Sequence, residues 1–485
     1  MRIMKKIKTD SGWKNKLIKH IGTARNDDEL AIYMELAHKD VAMVENLNQL
    51  RFDFETPQSR GLFTISSYHH GASLIFGELF RSLEIPLGRN KLLVEELVIA
   101  RILHPSSKRE TARWLERRLS SGFSLDQIYR VLDYIYKNRS KIQESLTNSI
   151  KAKYPAHIRY LLYDVTTMYF EKDDEDPDDS VQVGLRKRGY SKDHRNDMPQ
   201  VVLGLCVNEM GMPLSFKLYS GNTYEGKTLI DSISTALSKI GADLVNVVCD
   251  AGMLSKSNLE AIEKMNQNFI ISARLKSLNS QITKSIFSHD FQTNPIARFT
   301  HNGHDLVVSY SKKRERADVS RRRNSVARLE KLIDENRAIR KHKYLDLSVG
   351  KAQLNYKAIE SDARFDGLKG YLTNNHTLSN EEVISHYNQL YVVEQSFRMS
   401  KSDLAIRPSF HQSRNRIEAH VILCMMALCL IRMLENKVKA HCTYPKAIEI
   451  ISEANSAVIG NKSKKFLIPP LLSEEFKAIK RSIAS

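Results

Sequence analysis

Glu394 and Lys401 stand seven residues apart, within a stretch reading Tyr387-Asn388-Gln389-Leu390-Tyr391-Val392-Val393-Glu394 that continues through Phe397 and Arg398 to Ala405-Ile406-Arg407-Pro408. Seven residues are two helical turns, so on one predicted helix the carboxylate and the ammonium share a face. Two more carboxylates, Asp164 and Asp250, each follow a short apolar run, 158–163 and 244–249. Three such carboxylates can hold two Mg²⁺ ions, because this hard cation prefers oxygen ligands. A pair of bridged ions activates a water and stabilises a leaving 3′ oxygen in line. The chemistry this suggests is phosphoryl transfer on DNA, with no covalent protein intermediate and hence no serine or tyrosine nucleophile to seek.

Composition points to the same partner. Lys and Arg number 74 against 56 Asp and Glu, a formal charge of +18, and the surface field attracts polyanions. The five cysteines form no CxxC pair and no Cys/His zinc spacing, which suits reduced thiols in a cytoplasmic protein. The basic N-terminus lacks an apolar signal core. The longest apolar run, 421–431, is too short to span a bilayer and reads as a buried core helix, so no membrane partner is expected.

The elements that must position these residues can be sketched from periodicity. A chain of 485 residues exceeds one core. Residues 1–65 read as an N-terminal basic region and 66–155 as a helical, DNA-binding domain. Within it, Leu93, Leu97, Ile99 and Ala100 mark one helix and Thr111, Trp114, Leu115 and Leu119 another, separated by His104-Pro105-Ser106-Ser107. Pro105 stops the first helix, and Ser106 or Ser107 caps the second. Lys108, Arg109 and Arg113 give the second helix a basic face: either a helix-turn-helix reader of DNA or an ordinary helical hairpin with a solvated face.

From 156 to 275 the pattern is strand, hairpin, helix, strand, helix, strand. This α/β order with a mixed sheet matches a ribonuclease H-like catalytic core, whose ligands belong at the carboxyl ends of the strands. The acidic stretch 171–180 reads as a surface loop. Residues 276–357 depart from the core as an inserted domain; within 312–343 lie thirteen Lys and Arg against five Asp and Glu. Arg321, Arg322 and Arg323 there are candidate phosphate contacts, a solvated charged helix being the alternative. The core resumes over 358–440, with Ser379 capping the Glu394 helix, and 441–485 form a C-terminal region.

The chain resembles the DDE transposases of bacterial insertion sequences, in the group marked by a Y-x2-R-x3-E-x6-K signature, kept here as Tyr387-x2-Leu390-x3-Glu394-x6-Lys401. Supporting phrases are YDVTTMYFE (163–171), VCDAGM (248–253), RFDGLKGYLTNN (364–375) and FRMSKSDLAIRP (397–408), and the resemblance spans about 61–435. It implies that Asp164, Asp250 and Glu394 hold two Mg²⁺ ions, with Mn²⁺ as a substitute, and that Tyr387 and Lys401 meet DNA. Leu390 departs from the signature's arginine; Arg398, one turn beyond Glu394, is the candidate replacement. The implied activity is cleavage of an element's terminal inverted repeats and joining of the 3′-OH ends to target DNA, by a homodimer in synapsis, in the bacterial cytoplasm at the nucleoid. A transposase-derived DNA-binding protein without catalysis and a nuclease of the same fold are the rival readings.

Overall fold

The computed structural model describes residues 2–9, 12–20, 34, 63–118, 123–178, 183–191, 195–241, 244–335, 342–346, 353–407, 409, 411–460 and 465–484. Most of the expected N-terminal basic region, and 336–341 and 347–352 of the basic insertion, lie outside them. The chain divides into two compact units, 1–65 with 459–466 and 66–458 with 467–485. In the first, β1 (Arg2–Thr9) and β2 (Gly12–His20) pair as an antiparallel hairpin. Strand β3 covers Phe63–Tyr68.

The second unit begins with a helical layer: α1 (His70–Arg81), α2 (Lys91–Leu103), α3 (Lys108–Arg118), α4 (Leu125–Lys137) and α5 (Arg139–Lys153). Helix α2 contains the expected Leu93, Leu97, Ile99 and Ala100 and helix α3 the expected Thr111, Trp114 and Leu115, while Leu119 lies outside the described residues. Ser107 caps α3, its Oγ accepting the Glu110 N–H at 3.3 Å.

An eight-stranded mixed sheet follows, in the order β6-β5-β4-β7-β8-β13-β10-β9. Its first five strands are β4 (Tyr160–Tyr169), β5 (Gln200–Val207), β6 (Pro213–Ser220), β7 (Asn246–Cys249) and β8 (Asn268–Ala273). β4, β5 and β6 pair antiparallel, and β7 and β8 run parallel to β4. That arrangement is consistent with the ribonuclease H-like core. All eight residues of β5 are buried, as expected for a central strand with both faces covered. Between the strands lie α6 (Leu229–Ile240), packed on β5 and β6, and α7 (Lys256–Lys264), packed on β8.

The segment read as an insertion contributes to this same sheet. After α8 (Ser280–Ser288) come β9 (Ile296–His301) and β10 (His304–Tyr310), and β10 pairs with β13 (Leu368–Thr373), which joins β8. The continuous apolar run Leu306, Val307 and Val308 explains this placement: paired to β13 on one side and β9 on the other, the strand satisfies its backbone and buries its side chains on both faces. What stands off the sheet is α9 (Lys312–Asp334), the two-residue strands β11 (Leu345–Asp346) and β12 (Gln353–Leu354), and α10 (Tyr356–Ala363). Their small apolar core is Leu329, Tyr344 and Leu345, with Val326 and Ile333 packed beside it.

The chain closes over the sheet through α11 (Asn380–Asn388) and α12 (Tyr391–Arg398), then α13 (Arg414–Val438). Helix α13 is long and apolar enough to cross a membrane, yet 94% of its most apolar window is buried inside the protein. It packs on α2 and α4 and so joins the helical layer to the chain's later half.

Candidate active site

β4 and β7 pair in parallel, Tyr160 with Asn246, Leu161 with Val247 and Leu162 with Val248. Two residues on, the same register brings Asp164 level with Asp250, on strands about 4.8 Å apart. Tyr163 points the other way, its hydroxyl 2.7 Å from Thr228 Oγ1 beside α6, so Asp164 faces away from α6. Asp164 was expected to end its strand. Instead it is the fifth of ten residues, paired across to Leu205. The β-branched and aromatic residues Val165 to Tyr169 carry the strand onward, while β7 stops at Cys249 and releases Asp250 from the sheet. The two carboxylates therefore stand together where one strand ends and its neighbour continues.

Local backbone holds both acids. Asp164 Oδ1 accepts the Val165 N–H at 2.7 Å, and Asp250 Oδ1 accepts the N–H of Gly252 in the turn Ala251–Met253. A Cβ at Gly252 would lie 3.2 Å from Asp250 Oδ1 and 3.7 Å from Glu225 Oε2, so the glycine keeps the gap between two carboxylates clear. Burial, and then the charges of Asp250 and Asp164, push the Cys249 thiol up.

The expected single helix from Tyr387 to Lys401 is three pieces. Ser379 and Glu382 form a capping box at the start of α11, with bonds of 3.1 and 2.8 Å, but this caps the helix carrying Tyr387. At Gln389–Leu390 the bonds shorten to three-residue turns, Leu390 N to Tyr387 O and Val392 N to Gln389 O. The tighter turn redirects the chain so that Leu390, Val392 and Val393 all enter the core. Glu394 sits exposed in the first turn of α12, and Lys401 lies in a π-helical turn, Met399–Asp403. A π turn closes on i→i+5 bonds where an α turn closes on i→i+4, so the seven-residue spacing is not the two regular α-helical turns expected.

Lys369, on β13, is the residue the motif reading missed. Its ammonium stands 4.3 Å from the centre of the Tyr387 ring and 5.2 Å from that of Tyr371. Burial and then the nearby Arg314 push its pKa down; Glu394 and Asp250 act in the opposite direction. The lysine thus stands in the field of two of the three candidate carboxylates. The available signal was alternation: Lys369 and Tyr371 share one face of an otherwise apolar strand. Glu225 was missed because it lies in a loop without strand-end context.

Other candidates separate by burial. Tyr387 is 8% exposed, hydrogen-bonded to Ser272 and packed edge-on against Tyr371 at 5.0 Å. Burial raises its hydroxyl to about 12. It cannot stack on a base; it floors the Lys369 site. Leu390 is also buried, so an apolar contact fills the place of the signature's arginine. Arg398 is exposed and makes no ion pair with Glu394 among the described residues; its charge acts on Tyr444, which hydrogen-bonds Asp403 at 2.6 Å. Lys108 is 4% exposed, which removes it from any surface a duplex can touch. Its mid-helix neighbours differ: Arg109 is exposed, and Arg113 is exposed but 3.5 Å from Glu110.

The three consecutive arginines diverge as well. Arg322 turns inward and grips Asp366 through both terminal nitrogens, one at 2.6 Å. Arg321 is exposed and pairs with Asp318, and Arg323 is exposed. Arg321, Arg322 and Lys369 belong to a cleft of about 420 Å³ between α9, α10 and the β8–β13 edge, lined by six Lys or Arg side chains and three aspartates. One of these, Asp362, loses stability as an anion through burial, but hydrogen bonds from Lys343 and Tyr344 and the ion pair with Lys276 hold it at about 2. The acidic loop is likewise internally matched: Asp176 pairs with Arg186 at 2.7 Å and Asp178 with Lys187 at 3.0 Å.

Among the described residues, no three Asp, Glu, His or Cys side chains stand close enough to hold one metal ion. Asp164 and Asp250 fit as a pair of oxygen donors for a divalent cation, and the charges of Glu394 and Asp250 both act on Lys369. The family of transposase DDE domains matches residues 156–430, more than half of the chain. No curated protein matches it. Among solved structures it is similar to a piggyBac transposase synaptic complex with hairpin DNA, at 11% identity over 85% of this chain and 78% of that one, with a TM-score of 0.40. Another is a Mos1 transposase paired-end complex with the left transposon end, at 12% identity over 34% and 53%, with a TM-score of 0.17.

Proposed function

Because the chain belongs to the transposase DDE-domain family, we propose that it is a DNA transposase of the Y-x2-R-x3-E-x6-K group, cutting the ends of a bacterial insertion sequence and joining them to target DNA. The observation that carries the reading is the juxtaposition of Asp164 and Asp250 by strand register, with Lys369 in the field of Asp250 and Glu394. Asp164, Asp250 and Glu394 are the residues that would hold Mg²⁺ or Mn²⁺. Bound there, two such ions supply an activated water and charge stabilisation at the leaving oxygen.

The chain's own groups do the rest. The Val165 and Gly252 amides each hold one oxygen of an aspartate, Asp164 and Asp250, and so orient the two carboxylates. Lys369 presents a half-buried ammonium toward the acids, where a phosphate oxygen of the cut strand would offset its burial. Exposed Arg109, Arg321 and Arg323, with Arg398 and Lys401, supply phosphate contacts that position DNA without reading its sequence. Two ends must be cut in concert, so the working form is a homodimer on paired ends, at the nucleoid.

The test uses oligonucleotide duplexes carrying the element's ends, scored for nicking, for strand transfer and for binding. Asp164→Asn, Asp250→Asn and Glu394→Gln are each expected to lower cleavage by at least about 10³-fold while end binding persists, and to weaken Mn²⁺ binding measured without DNA. Normal cleavage by Glu394→Gln overturns the reading. Cleavage without joining in the intact protein favours the nuclease.

A further inference from the structure

Helix α12 carries Glu394 on only eight residues, broken from α11 by the tight turn at Gln389–Leu390 and followed at once by a π turn. Isolated helices shorter than about 12 residues are marginal in water, and no side chain caps the start of this one. It packs on β4 and β5, with Tyr391, Glu394 and Arg398 on its exposed face. Its inner face meets a buried cation. Arg432, on α13, is 2% exposed. Its Nη2 donates to the Val392 carbonyl at 2.9 Å and to Ser396 Oγ at 2.7 Å, and its Nη1 donates to Gln395 Oε1 at 3.0 Å. The three acceptors bracket Glu394 in the chain.

The guanidinium is itself held in place. Nη1 also donates to Glu435 Oε2 at 2.7 Å, which balances the charge one turn along α13, and Gln395 Nε2 donates to the other oxygen of Glu435 at 3.3 Å. Gly211, in the turn between β5 and β6, makes the room: a Cβ there would fall 2.7 Å from Arg432 Nε and 2.8 Å from its Cζ. Its φ of +75° suits glycine as well. The donors of a guanidinium are fixed in one plane, so a shift of α12 along its axis, or a turn about it, breaks several charge-assisted bonds together. A lysine ammonium, a point charge on a flexible stem, offers no such fork.

We propose that Arg432 is the positioning residue for the third acid: by gripping α12 at Val392, Gln395 and Ser396 from the inner side, it sets where the Glu394 carboxylate stands relative to Asp164 and Asp250. Metal sites tolerate little misplacement, since their ligands must be held to within about 0.5 Å. Asp164 and Asp250 have their own backbone amides to orient them, whereas Glu394 depends on the placement of a short helix. Arg432 is too buried to meet DNA and acts only through α12. The inference rests on the reading of Glu394 as a metal ligand.

The experiment measures Mn²⁺ binding to the full chain without DNA, by electron paramagnetic resonance of the free ion, beside cleavage rate and end binding, well below the Tm of each variant. Arg432→Lys keeps the charge and loses the fork; it is expected to weaken Mn²⁺ binding by about 10-fold and to slow cleavage at least as much, with end binding kept. Combined with Glu394→Gln, it is expected to add nothing to the loss that Glu394→Gln causes alone, whereas a general loosening of the fold would add. If Arg432→Lys does not fold, Gln395→Met with Ser396→Ala removes two of the acceptors on α12, leaves the pair of Arg432 with Glu435, and is expected to show the same non-additive loss. Unchanged Mn²⁺ affinity in the folded variant, or a loss that adds in full to that of Glu394→Gln, overturns the positioning role while the metal reading stands. Normal Mn²⁺ binding and cleavage by Glu394→Gln alone overturns both.

Discussion

Replacing Arg322, Arg321 and Arg323 one at a time should give three different results, although the residues are consecutive. Arg322 and Asp366 are 16% and 12% exposed at their side chains and share a two-pronged contact. Arg322→Gln leaves the Asp366 carboxylate largely buried and unpaired. Breaking a fully buried pair costs about 3–5 kcal/mol; the residual exposure of both groups brings the expected loss to roughly 2–4 kcal/mol. For a unit of this size that is a Tm drop of roughly 3–6 °C. Arg323→Gln should leave Tm unchanged and reduce the slope of log binding constant against log salt by about 0.9, the yield of one phosphate contact. Arg321, exposed and paired to Asp318, should lower the slope with little effect on Tm. Fluorescence anisotropy of end DNA across a salt series, alongside thermal unfolding, separates the effects. Adding Asp366→Asn to Arg322→Gln should recover part of the lost stability. An Arg322→Gln protein with unchanged Tm and a slope lowered by about 1 refutes the assignment, because the guanidinium would then serve DNA.

Lys369→Met should reduce the cleavage rate by about 10–100-fold with end-binding affinity held, and Lys369→Arg should restore part of it; equal rates in Lys369→Met and the unaltered protein, in a gel assay of nicked product, would remove Lys369 from the site. Glu209 is raised to about 7, chiefly by burial and against Arg159. A carboxyl raised on folding gives stability that is complete below its ordinary value near 4.5 and is lost as pH climbs through 7, so Glu209→Gln should be more stable than the unaltered protein at pH 8 by up to roughly 3 kcal/mol, with the advantage gone at pH 4. Urea titrations at both pH values read this directly, and parallel curves contradict it. Leu390→Arg, which completes the signature, should cost at least about 2 kcal/mol because it buries a guanidinium among apolar neighbours; an unshifted Tm would show that position 390 reaches solvent.

Period and punctuation made much of the architecture readable. The runs at 200–207 and 214–219 flanking Asn208-Glu209-Met210-Gly211-Met212-Pro213 announced a hairpin, and Ser107 and Ser379 announced helix starts by capping chemistry that acts within four residues. Asp164 and Asp250 were legible because each follows an apolar run. The position of Asp164 within its strand was not, since Val165 to Tyr169 could have formed a loop until their pairing with β5 was known. The fracture between Tyr387 and Glu394 was invisible for a related reason: local propensity favours one helix there, and the demand that Leu390, Val392 and Val393 all be buried overrides it. Charge misled most. Lys108, Arg322 and Arg323 look alike in sequence, and only tertiary contacts turn the first into a core cation, the second into an internal tie and the third outward. Lys369 lay unnoticed because its significance comes from residues 119 to 25 positions away, Asp250 and Glu394.

The docking of α13 on α2 and α4 has a consequence for how the chain is made. Residues 91–137 present their apolar faces to a helix spanning 414–438, which the ribosome delivers only after nearly three hundred further residues have emerged. At about 5–20 residues per second the exposed faces wait on the order of tens of seconds. During that interval they are a target for chaperones and for aggregation with sister chains on the same message. The delay also bears on the proposed metal site: Glu394 is synthesised long after Asp164, on the α12 helix that packs beside β4 and leaves the ribosome just before α13.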